Sequence, residues 1–147
     1  MIGVLIVTHG GLARELLAAA EIINGSLAGF EALSLDWTEG VEDARRKIAE
    51  SLRRLDSGDG VVILTDMHGD TPSNAARTFA TPDRVEVITG VNLPMVVRLG
   101  CANAQAMRAG VLARWLQAKG RRAIHRAGDA GPAPTGVHRI RREDSSR

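Results

Sequence analysis

Residues 62–74 read "VILTDMHGDTPSN": an apolar run stops at Asp66, and an imidazole, His68, and a second carboxylate, Asp70, follow within five residues. The same thing happens in "IGVLIVTHGG", residues 2–11, where the apolar run ends in Thr8 and His9 and the next two residues are Gly10 and Gly11. A histidine among small neighbours can act as a nucleophile if one ring nitrogen is fixed as a donor. A carboxylate accepting from that N–H leaves the other nitrogen's lone pair pointing outward. Asp66 is the natural orienting group for His9. The competing reading is a loop histidine satisfied by a backbone carbonyl, and position alone does not choose between them. The same four residues, His9, Asp66, His68 and Asp70, also offer a ligand set of two imidazoles and two carboxylates for zinc or manganese. The D-x-H-x-D spacing is a weak signal for that, because alternate residues of a loop need not face one point.

These residues need elements to bring them together. Ile2 to Val7 is a short β-branched apolar run suited to a strand covered on both faces, and Gly11 to Asn24 carries apolar residues at helical spacing. Phe30–Leu35 reads as a strand, Val41–Leu55 as an amphipathic helix, and Val61–Leu64 as the third strand. Thr71 as N-cap and Pro72 at the first helical position predict a helix to about Ala80. Val85–Thr89 is a fourth strand, residues 90–94 a turn into a helix, and Ala102–Ala118 a further helix. "RRAIHRA", residues 121–127, is a candidate short fifth strand. This alternation predicts an α/β fold: an open, mainly parallel sheet of four strands, plus the candidate C-terminal strand, with helices on both faces. In such sheets chemistry sits at the carboxyl ends of the strands, which puts His9, the Asp66–Thr71 loop and the turn from Val91 to Pro94 on one rim.

A chain of 147 residues with 44% hydrophobic content supports one core, and the reading divides it into a domain over 1–127 and a basic disordered tail over 128–147. Residues 1–118 hold 11 Lys/Arg against 14 Asp/Glu, a net of −3, whereas residues 119–147 hold 8 against 3, a net of +5. With two Trp, two Phe and no Tyr in the chain to stack bases, the basic tail reads as a solvated extension, and no nucleic-acid partner is expected. Cys101 is the sole cysteine, so no intrachain disulfide can form. There is no membrane-length apolar run and no leader pattern, so the expectation is a cytoplasmic protein without membrane insertion. A Walker-type glycine loop with lysine is absent, which argues against nucleotide binding of that kind.

Three stretches, "IGVLIVTHGGLARELL", "GDGVVILTDMHGDTPSNAA" and "VEVITGVNLPMVV", together resemble the mannose/fructose-type IIA domain of the bacterial phosphoenolpyruvate-dependent sugar phosphotransferase system, over Met1 to about Ile124. The resemblance implies a phosphotransferase component working through a phosphohistidine, without a cofactor or metal. His9 would accept a phosphoryl group from the phosphocarrier HPr and pass it to a IIB component, with Asp66 orienting the ring. By the same match Gly10 and Thr71 would bind the phosphoryl group, and Asn92, Pro94 and Met95 would border the site. The family also implies a homodimer. The chain departs from the usual "D-x-F-G-G-T/S-P" at His68 and Asp70, and an extra carboxylate beside a phosphoryl site repels it if it points inward. Those two positions are expected on the site or partner rim. The alternatives are the metal-centred hydrolase-like site and a regulatory module controlled by phosphorylation of His9.

Overall fold

Val4 to Val7 and Val61 to Leu64 are buried without a break. Two adjacent strands can bury every side chain only if both faces of the sheet are covered. The computed structural model describes residues 1–129, with the backbone alone at 102 and 103, and it has this layered form. Its elements are β1 (Gly3–His9), α1 (Leu12–Asn24), β2 (Phe30–Leu35), α2 (Val41–Leu55), β3 (Val61–Thr65), α3 (Thr71–Arg77), β4 (Val85–Thr89), α4 (Leu93–Leu99), α5 (Ala102–Gln105) and α6 (Ala109–Arg122). The strands lie in the order β2-β1-β3-β4, all parallel.

Alternation along the strands sorts the core into two halves. Val4, Ile6, Val62 and Leu64 pack with Ala13 and Ala20 of α1, Val96 and Leu99 of α4, and Leu112 and Leu116 of α6. Leu5, Val7, Val61 and Ile63 face the other way, onto Ala44 and Ile48 of α2 and Ala75 and Ala76 of α3. Thr8 and His9 continue this alternation past the apolar run. Thr8 turns toward α1, where its Oγ1 accepts the Ala13 N–H at 2.7 Å, and His9 continues the face of Leu5 and Val7, toward α2 and α3.

Four expectations are corrected. The helix after Pro72 ends at Arg77, because the Thr78 hydroxyl donates to Ala75 O at 2.8 Å and the Phe79 N–H to Ala76 O at 3.0 Å, closing the end with tighter turns. Its N-cap is Asp70, whose Oδ1 accepts the Ser73 N–H at 3.0 Å, so Thr71 and Pro72 are its first two residues. The helix over 102–118 is two helices: Asp83, from a distant loop, accepts the Gly110 N–H at 3.2 Å and an Arg108 N–H at 3.1 Å, which starts α6 afresh. "RRAIHRA" is no strand: α6 continues through Arg122, the Ala123 N–H closes onto Lys119 O, and Ile124 is 79% exposed without ladder partners. Among the described residues the sheet therefore has four strands. Most of the expected tail, from residue 130, lies outside the described residues.

Candidate functional site

The connection from β1 leads to β2 on one side, whereas that from β3 leads to β4 on the other. Adjacent parallel strands whose connections diverge leave a crevice at their carboxyl ends. His9 and Asp66 meet there. β1 pairs Val7 with Thr65 and runs two residues further, which carries His9 over the start of the loop after β3. Gly10, at φ +53°, then turns the chain into α1 in a conformation that a β-carbon disfavours.

Asp66 holds His9 twice with one oxygen: Oδ2 accepts the His9 main-chain N–H at 3.0 Å and stands 3.0 Å from His9 Nδ1. Its other oxygen accepts the Met67 N–H at 3.0 Å. Burial pushes the Asp66 carboxyl up, but hydrogen bonds with the His9 N–H, the His9 ring and the Asp70 carboxyl hold the group below the usual carboxylate range. An ionised Asp66 requires Nδ1 to carry the proton in that contact, which leaves Nε2 with the lone pair. No hydrogen bond engages Nε2 among the described residues.

Asp70 also reaches the ring. Its Oδ2 lies 3.3 Å from His9 Nδ1, while Oδ1 caps α3. The carboxyl is held above its ordinary range, first by burial, which the Ser73 N–H opposes, and then by the negative charge of Asp66 and a hydrogen bond that its protonated form gives to Asp66. His9, Asp66 and Asp70 each place a potential ligand atom within 4.8 Å of one another. His68 is exposed and takes no part in that group. The D-x-H-x-D stretch thus brings its two carboxylates together and turns its imidazole outward.

Trp37, at the carboxyl end of β2, completes the site, and sequence reasoning missed it. Its ring lies 4.4 Å from that of His9 and 10° from parallel. The loop carrying it is braced by Asp36, whose Oδ1 accepts from the Thr38 N–H at 2.9 Å and hydroxyl at 2.7 Å, and by a Lys47–Glu39 ion pair at 2.6 Å. A lone tryptophan just past a strand, in a chain with two, was the available signal.

Thr71 is half-buried at the start of α3, beside Asp70, and Gly10 follows His9 directly. The stretch at 92–95 serves the other face. Asn92 caps α4 by accepting the Met95 N–H at 3.1 Å and donates to Gly120 O at 3.2 Å. Met95 is buried in the α1-side core, and a β-carbon on Gly120 would come within 2.6 Å of its sulfur, so any larger residue there would displace the Met95 side chain. Pro94 is exposed. Asn92 and Met95 line a hollow of about 240 Å³ with Thr89, Gln117 and Arg121, and His9 is not among its walls.

Fold and site define a class: a parallel α/β domain with one carboxylate-anchored histidine at the sheet's switch point. The chain belongs to the family described as "PTS system fructose IIA component", whose model matches residues 3–115. It is 37% identical over 97 residues to the mannose-specific EIIAB component of the PTS from Escherichia coli (strain K12), covering 65% of this chain but only 30% of that protein. It is 31% identical over 100 residues to the fructose-specific EIIA component of Bacillus subtilis (strain 168), covering 67% of this chain and 68% of that protein. Among solved structures, the mannose/sorbose specific IIA subunit from Enterococcus faecalis superimposes with a TM-score of 0.77 at 26% identity, covering 91% of this chain and 98% of that one. The EIIA component from Streptococcus agalactiae shares the fold with a TM-score of 0.78 at 20% identity, covering 88% and 100%. Among the described residues no helix is long and apolar enough to cross a membrane.

Proposed function

We propose that this chain is a phosphoryl carrier of a sugar phosphotransferase system, taking a phosphoryl group onto Nε2 of His9 from an HPr-like phosphohistidine donor and passing it to a IIB component. The observation that carries this reading is the pose of His9: Nδ1 faces Asp66 at 3.0 Å, one ring face lies against Trp37, and Nε2 has no protein partner among the described residues.

The Nε2 lone pair forms the new N–P bond as the donor's N–P bond breaks, and that electron pair returns to the donor nitrogen. Nothing is oxidised, and Nδ1 keeps its proton. Such a transfer depends on positioning and electrostatics, which Asp66 supplies from a crevice already formed. Gly10 leaves room for the donor beside His9, and Thr71 is assigned to the phosphoryl oxygens. The family membership supports a homodimer acting in the cytoplasm; light scattering of the purified protein tests the dimer, and fractionation of cells tests the location.

The deciding experiment is incubation with phosphoenolpyruvate, enzyme I and HPr, followed by intact-mass analysis and peptide mapping under alkaline conditions that preserve phosphohistidine. The expected result is one acid-labile phosphate on His9. An unphosphorylated protein beside a demonstrably active donor overturns the reading.

A further inference from the structure

Asp66 alone would be enough to fix the ring of His9, yet a second carboxylate oxygen stands 3.3 Å from the same nitrogen. The Asp70 side chain is only 9% exposed. Its Oδ2 accepts no hydrogen bond among the described residues, whereas its Oδ1 accepts the Ser73 N–H that caps α3. One N–H cannot satisfy two carboxylates, and two like charges packed this closely repel. With both carboxylates ionised, the free site therefore holds more negative charge than one N–H offsets.

We propose that Asp70 is a positioning residue whose carboxylate, together with that of Asp66, offsets the positive charge that appears on the His9 ring when Nε2 is phosphorylated; its Oδ2 contacts the ring at Nδ1 and not at Nε2, where the phosphoryl oxygens gather, so attraction to the ring outweighs repulsion of the phosphoryl group. This rests on the phosphoryl-carrier reading. With Asp66 ionised, the form of the ring that reacts carries its proton on Nδ1 and its lone pair on Nε2. Forming the Nε2–P bond consumes the Nε2 lone pair and leaves a cationic ring that still carries the Nδ1 proton. Asp66 accepts that proton's hydrogen bond, and the negative charge of Asp70 beside it favours keeping the proton on the ring. In the onward step the Nε2–P bond breaks, its electron pair returns to Nε2, and a neutral imidazole leaves rather than an imidazolate. Retaining the Nδ1 proton is therefore what keeps the carrier able to give the group away.

The charged and titratable groups acting on Asp70 are Asp66, from the loop after β3, and His9, from β1; its own helix contributes only the Ser73 N–H. Because burial and Asp66 hold the Asp70 carboxyl above its ordinary range, the second charge is lost at a higher pH than that of Asp66.

The test compares wild type with Asp70→Asn and Asp70→Ser, both of which keep an N-cap acceptor for Ser73. Each is equilibrated with a fixed ratio of phosphorylated to free HPr between pH 4.5 and 8.5, and the phosphorylated fraction is read by intact mass. An opposite charge at this distance favours the charged form by roughly tenfold or more, so the equilibrium constant for phosphorylation at neutral pH should fall about tenfold in both variants. The advantage of wild type over the variants should also shrink on the acid side, where Asp70 loses its charge, so that the ratio of the constants approaches one there. Equal constants and matching pH profiles overturn the proposal while leaving phosphorylation of His9 intact. A change in rate with an unchanged equilibrium also overturns it, since that would make Asp70 a docking group for the donor. Failure of the wild type to accept phosphate at all tells instead against the carrier reading.

Discussion

The indole of Trp37 covers the imidazole of His9 at 4.4 Å between ring centres and within 10° of parallel, though Trp37 itself is 76% exposed. A large aromatic side chain this exposed contributes little to the core. Its contact with His9 confines the ring to one plane, and the two carboxylates fix which edge points inward.

Trp37→Ala should therefore slow phosphorylation of His9 with little loss of stability. Aromatic pairs of this geometry are worth about 0.5–1.5 kcal/mol, which caps the loss of stability, and if the same energy serves to position the ring in the reacting pose the rate falls by roughly 2- to 10-fold. Trp37→Phe should recover most of it. Stopped-time phosphorylation assays beside thermal melts check both parts, and a large drop in melting temperature would show that the indole supports the fold instead.

His9→Ala should abolish phosphorylation with the fold intact by circular dichroism. In Asp66→Asn the amide no longer selects the Nδ1–H tautomer, and a histidine left in the wrong tautomer loses up to about 10⁴-fold in rate. An unchanged rate in Asp66→Asn would remove Asp66 from the mechanism.

The two aspartates should show opposite pH dependence in stability. Asp66 is held low, so its contribution is present above the ordinary carboxylate range and is lost as pH falls through its depressed value. Asp70 is held high, so the folded state favours its protonated form, and that advantage disappears as pH rises through its elevated value. Asp70→Asn, which keeps the cap, should therefore melt above wild type at neutral pH and match it in acid, whereas Asp66→Asn should melt below wild type at neutral pH. Melting curves from pH 3 to 8 give both signs.

Asn92→Ala removes the side-chain cap of α4 and a bond to α6, costing about 0.5–2 kcal/mol for the cap alone. Chemical denaturation should register that loss while the rate of phosphorylation of His9 stays within about twofold. A rate loss exceeding the stability loss would return Asn92 to the site.

The sequence by itself determined the alternation of strands and helices and the two loops that carry the chemistry. Buried parallel strands must be continuous apolar runs, and Ile2–Val7 and Val61–Leu64 say so without ambiguity. The bounds of β2, α2 and β4 were legible for the same local reasons, in periodicity and in flanking turn residues. Where local signals ran out, so did the reading. Nothing near Arg108 announces that Asp83, 27 residues before Gly110, will start a new helix there. The run "RRAIHRA" looks like a strand only if a neighbouring strand is present to pair with it, and the described residues supply none.

The site divides along the same line. That His9 and Asp66 belong together followed from their places at the ends of adjacent strands. Which of His68 and Asp70 turns inward was decided by tertiary structure: Asp70 caps α3, and the cap aims its free oxygen at His9. The meeting of Trp37 with His9 depends equally on the parallel pairing of β1 with β2, in register His9 to Leu35, which no single segment encodes. Strand and helix propensities act over a few residues, whereas the placement of side chains on one rim depends on how β1, β2 and β3 pack.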